Sequence, residues 1–130
     1  MFPWPATSAA GRLMAMSRLS PSQYLGGLYR RNLVDDHVWD ESDAADRARE
    51  IVGALFDEPP TLRVVLCGWR VASAFEVRAS NYWEPVVMDC RQTAVVIPHP
   101  SGKNRVYNNP SARDQTGLWM RWATLGEDLP

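Results

Sequence analysis

Residues 93–105 read Thr-Ala-Val-Val-Ile-Pro-His-Pro-Ser-Gly-Lys-Asn-Arg and combine a strand pattern with a polar loop. The β-branched, apolar first half of this stretch predicts a buried strand that ends at Pro98. A polar, basic loop follows at once, beginning with His99. Because open α/β sheets bind ligands beyond the carboxyl ends of their strands, this loop is a candidate site. Pro98 and Pro100 restrict the backbone on both sides of His99, so we expect the imidazole to be held in place.

The rest of the chain alternates between helical and strand patterns. Helices are predicted from Thr7 or Ser8 to about Met16, after a capping box at Ser20–Gln23, from Ser42 or Asp43 to about Phe56, over Trp69–Phe75, and after Asn109-Pro110. Strands are predicted at Arg30–Val34, Leu62–Gly68, Pro85–Asp89 and Thr93–Ile97. This alternation predicts an α/β fold, a three-layer α/β/α sandwich with a mostly parallel central sheet, in one domain over residues 1–130.

Length and charge limit the classes of function. The chain has 130 residues, enough for one hydrophobic core, and a net charge of −1, which argues against tight nonspecific coating of DNA. The cations at Arg30-Arg31 and Lys103–Arg105 could still form a small positively charged surface that binds nucleic acid. The sequence shows neither a membrane-spanning apolar run nor a leader pattern. We therefore expect a cytoplasmic protein with no membrane partner.

Metal and cofactor chemistry finds little support in the sequence. Cys67 and Cys90 each end an apolar run, and they are expected to be buried free thiols, because two cysteines cannot build a zinc or iron–sulfur site alone. The acids between Asp35 and Asp46 match no calcium-loop spacing and are expected to form a solvated helix start. No metal and no cofactor is expected.

The loop after His99 has the residue types of a phosphate-binding segment. Ser101 offers a hydroxyl and a backbone N–H, Gly102 allows close approach of a ligand, and Lys103 and Arg105 add positive charge. Asn104 lies between these two cations and is included with them as a phosphate contact. The alternative is a solvated surface turn without a ligand. Loops on a rigid sheet tend to carry function, which favours the first interpretation.

Residues 99–105 resemble the second signature motif of the uracil-DNA glycosylase superfamily, a His-Pro-Ser loop after the last sheet strand. Residues 67–75 resemble the family's strand–glycine–helix step, and residues 8–13 and 29–34 resemble the stretch that leads to its base-recognition asparagine. The resemblance covers most of the chain. It implies a partner in single- or double-stranded DNA that carries uracil or a modified pyrimidine, and no cofactor.

The resemblance also implies residue roles. His99 would donate a hydrogen bond to an oxygen of a flipped base, and Asn32 would read the edge of that base. Phe2 or Trp4 would form an aromatic wall, and residues 101–105 would hold the DNA phosphates. Without the family, Asn32 is equally well explained as a turn or cap residue, and the two aromatic residues as a hydrophobic plug on the sheet.

The sequence departs from the family at its N-terminus. The family's first motif is a glycine-rich strand carrying the residue that positions the attacking water, and nothing of this kind precedes Phe2. No Asp or Glu occurs before Asp35. We therefore expect a fold shortened at its N-terminus, whose uncovered sheet edge invites self-association.

Three functions stay open from the sequence. The first is a glycosylase-like DNA-binding protein that hydrolyses an N-glycosidic bond. The second is a non-catalytic module that binds DNA or a base. The third is an unrelated α/β protein whose basic loop binds a nucleotide or another phosphorylated small molecule.

Overall fold

The computed structural model of the chain describes residues 9–27, 39–101 and 104–130. The helices are α1 (Ala9–Ser17), α2 (Pro21–Gly27), α3 (Glu41–Leu55), α4 (Trp69–Ala74) and α5 (Pro110–Leu125), with a short 3-10 helix at Arg105–Asn108. The strands are β1 (Arg63–Cys67), β2 (Val86–Val87) and β3 (Thr93–Ile97). The mixture of helices with a sheet confirms the α/β class. The strand predicted at residues 30–34 lies outside the described residues.

The chain divides into two compact units. The helical unit consists of Met1–Tyr29 with Ile97–Pro130, and the sheet unit consists of Arg30–Val96. Within the described residues, the sheet has the strand order β1-β3-β2. Its buried side chains include Leu66 of β1 together with Ala94 and Val96 of β3.

The sheet is mixed, whereas the sequence predicted a mostly parallel one. β2 runs antiparallel to β3, with Val86 opposite Ala94. The connection explains this direction, because the N–H of Met88 donates to the carbonyl of Gln92 at 2.8 Å and closes a short turn. So short a connection can join only antiparallel strands. In the described sheet β1 and β2 are the outer strands, and self-association through an edge stays a prediction.

A buried glutamine ties the end of α3 to the sheet. The side chain of Gln92 is fully buried. Its Nε2 donates to the carbonyls of Leu55 at 2.6 Å, Glu58 at 3.2 Å and Pro59 at 3.4 Å. The carbonyls of Leu55 and Pro59 also accept from the backbone N–H groups of Glu58 at 3.1 Å and Leu62 at 3.0 Å. Gln92 therefore adds a second layer of hydrogen bonds to the turn that follows α3 and gives its own buried amide nitrogen partners.

In the helical unit, α1 and α2 pack against α5. Gly117 of α5 is buried where the backbone of Met16 in α1 passes, and a Cβ there would lie 3.0 Å from the Met16 carbonyl carbon. Two buried tryptophans of α5, Trp119 and Trp122, meet edge to face with ring centroids 5.2 Å apart. The contact of α1 with α5 therefore depends on a residue without a side chain.

The predicted helix starts are partly confirmed. At α2 the capping box forms as expected, since the N–H of Gln23 donates to Ser20 Oγ at 3.2 Å and the N–H of Ser20 donates to Gln23 Oε1 at 2.9 Å. The start predicted for α3 was wrong by one or two residues. Asp40 is the N-cap, because its carboxylate accepts from the N–H of Asp43 at 3.0 Å, and the helix begins at Glu41.

Both cysteines are free thiols, as predicted, but only Cys90 is buried as the sequence also predicted. Cys90 is fully buried. Cys67 is half-buried, and desolvation raises the pKa of its thiol to about 11. A thiol with such a pKa is almost entirely protonated at neutral pH and is therefore a poor nucleophile. Within the described ranges, no helix combines the length and apolar character needed to cross a membrane.

Candidate functional site

His99 lies two residues after the end of β3 and is the exposed residue between two buried prolines. Pro98 and Pro100 are both fully buried, whereas His99 is exposed. Each proline fixes its own φ and has no N–H to satisfy. The backbone on either side of His99 is therefore anchored in the helical unit while the imidazole projects from it.

Side chains hold both peptide planes that flank the Cα of His99. The phenol of Tyr107 donates to the carbonyl of Pro98, and Asn104 Nδ2 donates to the carbonyl of His99 at 3.0 Å. A third donor, Arg12 of α1, reaches the carbonyl of Pro100 at 3.5 Å. Since a peptide unit is planar, fixing the two carbonyls next to a Cα also fixes the direction of its Cβ. The loop thus presents the imidazole in one direction.

A hydrogen bond within the loop decides the tautomer of the ring. The N–H of Ser101 donates to His99 Nδ1 at 3.2 Å. Nδ1 therefore accepts and carries no proton, so that the neutral imidazole carries its hydrogen on Nε2. The ring is a single N–H donor aimed away from its own loop.

The electrostatics of the loop favour the neutral ring. Partial desolvation lowers the pKa of His99 below its usual value of 6.5. Protonation would also place a hydrogen on Nδ1, against the N–H of Ser101, and break the bond described above. At neutral pH, His99 is consequently an uncharged donor that can meet an oxygen carrying developing negative charge.

The other predicted loop residues are only partly described. The side-chain amide of Asn104 is engaged inside the chain, since its Oδ1 also accepts from the N–H of Val106 at 3.1 Å. Ser101 uses its N–H for His99, which leaves its hydroxyl as the group for a phosphate. Arg105 is exposed on the 3-10 helix. As phosphate contacts these residues stay predictions, and the candidates at Phe2, Trp4, Asn32, Gly102 and Lys103 lie outside the described residues.

Four residues that support the loop were not predicted from the sequence. Tyr107 accepts at its hydroxyl from Thr116 Oγ1 at 3.1 Å, so a buried threonine of α5 supports the phenol. Arg113 Nη1 donates to the carbonyl of Tyr107 at 2.6 Å. Arg12 lies 88 residues from its acceptor at Pro100, and no local pattern signals such a contact. Only the cap formed by Asn104, two residues before Val106, follows a spacing that a sequence shows.

The sheet unit contains a separate groove of about 590 Å³. Trp69, 40% exposed, lies at one side of it and stacks on Tyr82 with ring centroids 4.7 Å apart. The remaining lining residues are Ser73, Glu76, Val77, Arg78, Ala79 and Asp89. None of the residues predicted as a site lines this groove.

Comparison with known proteins identifies no relative. No protein-family model, curated protein or solved structure matches the chain. In the part of the chain that the structure describes, no group of three or more His, Cys, Asp or Glu side chains is placed to hold a metal ion.

Proposed function

We propose that this chain binds DNA and recognises a flipped pyrimidine, uracil or a modified base, through a hydrogen bond from His99. The observation that carries the proposal is the neutral imidazole with its hydrogen on Nε2, presented by a loop that side chains clamp on both sides. The ligand class comes from the resemblance of residues 99–105 to the uracil-DNA glycosylase superfamily. The same resemblance is the ground for proposing a three-layer sandwich of that family's type.

A fixed donor of this kind suits recognition of a pyrimidine. The carbonyl oxygens on the base edge are acceptors, and a base taken out of the stack exposes them to a protein pocket. An N–H held in place by the fold loses little conformational entropy on binding. Exposed Arg105 supplies a positive charge beside the loop, as a DNA phosphate requires.

The same donor suits hydrolysis of the N-glycosidic bond. When that bond breaks, its electron pair stays on the pyrimidine, and the oxygen of an attacking water bonds to the sugar carbon and loses one proton to solvent. The base anion takes up one proton from solvent when it is released. His99 would stabilise the resulting base anion through its Nε2–H without giving up the proton. A preorganised donor at a developing anion is worth about 2.7–4 kcal/mol, or about 10²–10³ in rate.

Binding without hydrolysis is the second candidate, and the departure of the sequence from the family favours it. No Asp or Glu occurs before Asp35, in the part of the chain where the resemblance would place the residue that positions the attacking water. The two candidates share the recognition step and differ in whether the bond breaks.

Uracil release and DNA affinity separate these functions. The full chain is incubated with oligonucleotides that contain one uracil, single-stranded and duplex, and free uracil is measured beside the dissociation constant. His99→Ala removes the donor, and His37→Ala is the matched control at the chain's other histidine. Release that falls about 10²–10³-fold in His99→Ala supports the hydrolase. Affinity that depends on His99 without any release supports the binding module. If no uracil is released and the affinity does not depend on His99, the proposal is overturned.

A further inference from the structure

Thr116, Tyr107 and Pro98 form a hydrogen-bonded chain that runs from α5 to the His99 loop. Thr116 is fully buried and its Oγ1 donates to the Tyr107 hydroxyl at 3.1 Å. The Tyr107 hydroxyl in turn donates to the carbonyl of Pro98. The threonine hydroxyl thus fixes the orientation of the phenol O–H, because a hydroxyl that accepts on one side turns its hydrogen towards the other.

The target of this chain is the peptide plane that enters His99. The carbonyl of Pro98 and the nitrogen of His99 lie in one planar unit. The opposite plane is held independently, since Asn104 donates to the carbonyl of His99. Two separate donors on successive carbonyls leave the Cα of His99 little rotational freedom.

We propose that Tyr107 and Thr116 are positioning residues, which hold the His99 imidazole in the orientation that recognises a base without touching that base themselves. This inference rests on the proposed function of His99. It goes beyond that function because it assigns a role to two residues outside the loop, one of them buried in α5.

The geometry makes the proposal specific to two hydroxyl groups. Tyr107→Phe keeps the ring and removes the donor to Pro98. Thr116→Val keeps the shape of the side chain and removes the donor to Tyr107, whereas Thr116→Ser retains a hydroxyl. If these residues only filled space, Tyr107→Phe and Thr116→Val would leave the loop unchanged.

The direct readout is the bond between the N–H of Ser101 and His99 Nδ1, which is observable without DNA. Nitrogen NMR of the imidazole reports the tautomer, and hydrogen exchange of the Ser101 amide reports how often that bond opens. In Tyr107→Phe and Thr116→Val, we expect Ser101 exchange to rise about tenfold and the second neutral tautomer to become detectable. Thr116→Ser is expected to preserve the wild-type values.

Two comparisons separate positioning from general stability. The matched control is Tyr82→Phe, which removes a phenol hydroxyl in the sheet unit and is expected to leave the loop unchanged. Exchange at Met120, buried in α5, should also stay unchanged in Tyr107→Phe. Equal acceleration at Ser101 and Met120 would show a structural role and overturn the proposal, as would unchanged exchange and tautomer at the loop.

Failure of the proposed function gives a different result. If the NMR signals respond as expected but no pyrimidine is recognised, Tyr107 and Thr116 position His99 for a ligand other than a base, and only the proposed function falls. If pyrimidine recognition depends on His99 but is unaffected by Tyr107→Phe, the positioning role is overturned and the proposed function stands.

Discussion

Gly117→Ala tests the packing that places Arg12 of α1 beside the His99 loop. The added Cβ would clash with the carbonyl oxygen of Met16, and it would lie 3.0 Å from the Met16 carbonyl carbon and 3.5 Å from Ser17 Cα. All three atoms are backbone, so α1 cannot avoid the contact by turning a side chain. Overpacking of this kind costs about 1–3 kcal/mol, and the better helix propensity of alanine returns about 0.8–1.0 kcal/mol. The stiffness of a backbone neighbour favours the upper end, and we expect a net loss of about 2 kcal/mol.

Urea unfolding of Gly117→Ala beside Gly26→Ala measures this loss. Gly26 lies in α2 of the same unit and is exposed, and a Cβ there would meet nothing within 4 Å. The control is therefore expected to be neutral or stabilised by up to about 1 kcal/mol. A Gly117→Ala variant as stable as Gly26→Ala would refute the described contact of α1 with α5, and with it the position of Arg12.

Three further outcomes follow from the described hydrogen bonds and charges. Gln92→Glu places a carboxylate against three carbonyl oxygens at the end of α3, and we expect it to lower the free energy of unfolding by about 3 kcal/mol or more at about pH 8 and by less at about pH 5, where the introduced carboxyl takes up a proton. In the same urea assay, exposed Gln115→Glu should change this free energy by no more than about 0.5 kcal/mol. NMR titration of the His99 imidazole should give a pKa below 6.5, and a pKa above 6.5 would contradict the desolvated ring that accepts at Nδ1. Because the unfolded chain then binds a proton at His99 more readily than the folded chain, the contribution of His99 to stability should be complete above pH 6.5 and fall as the pH drops below it. Arg105→Ala should reduce the slope of log affinity for DNA against log salt concentration by about one counterion, whereas Arg70→Ala, at an exposed arginine of the sheet unit, should leave that slope unchanged. The same slope in Arg105→Ala and in the wild type would exclude Arg105 from the DNA interface.

Local chemistry made several elements predictable. β3 forms over Thr93–Ile97 as predicted, because β-branched residues bounded by a proline leave few alternatives. The capping box before α2 is a pattern of four residues and needs nothing else from the fold. The strand predicted over Pro85–Asp89 is shorter than expected, since only Val86–Val87 is assigned to β2 before the turn at Met88.

The contacts that orient His99 depend on the tertiary fold and had no local signal. Tyr107 reaches back nine residues to Pro98, and Thr116 meets it from a different helix. Arg12 reaches the loop only because α1 packs on α5. The sequence therefore predicted that the flanking prolines restrain His99, while the fold supplied the side chains that hold the loop.

If His99 reads the base, the selectivity of DNA binding for one pyrimidine depends on this side chain. Fluorescence anisotropy gives the ratio of affinities for oligonucleotides that differ in one base, uracil or a modified pyrimidine against thymine. We expect the full chain to prefer one such base by about tenfold or more, the value of one well-made hydrogen bond. The ratio should fall to about one in His99→Ala and persist in His37→Ala. An identical ratio in wild type and His99→Ala would contradict the assignment of His99 as the donor that reads the base.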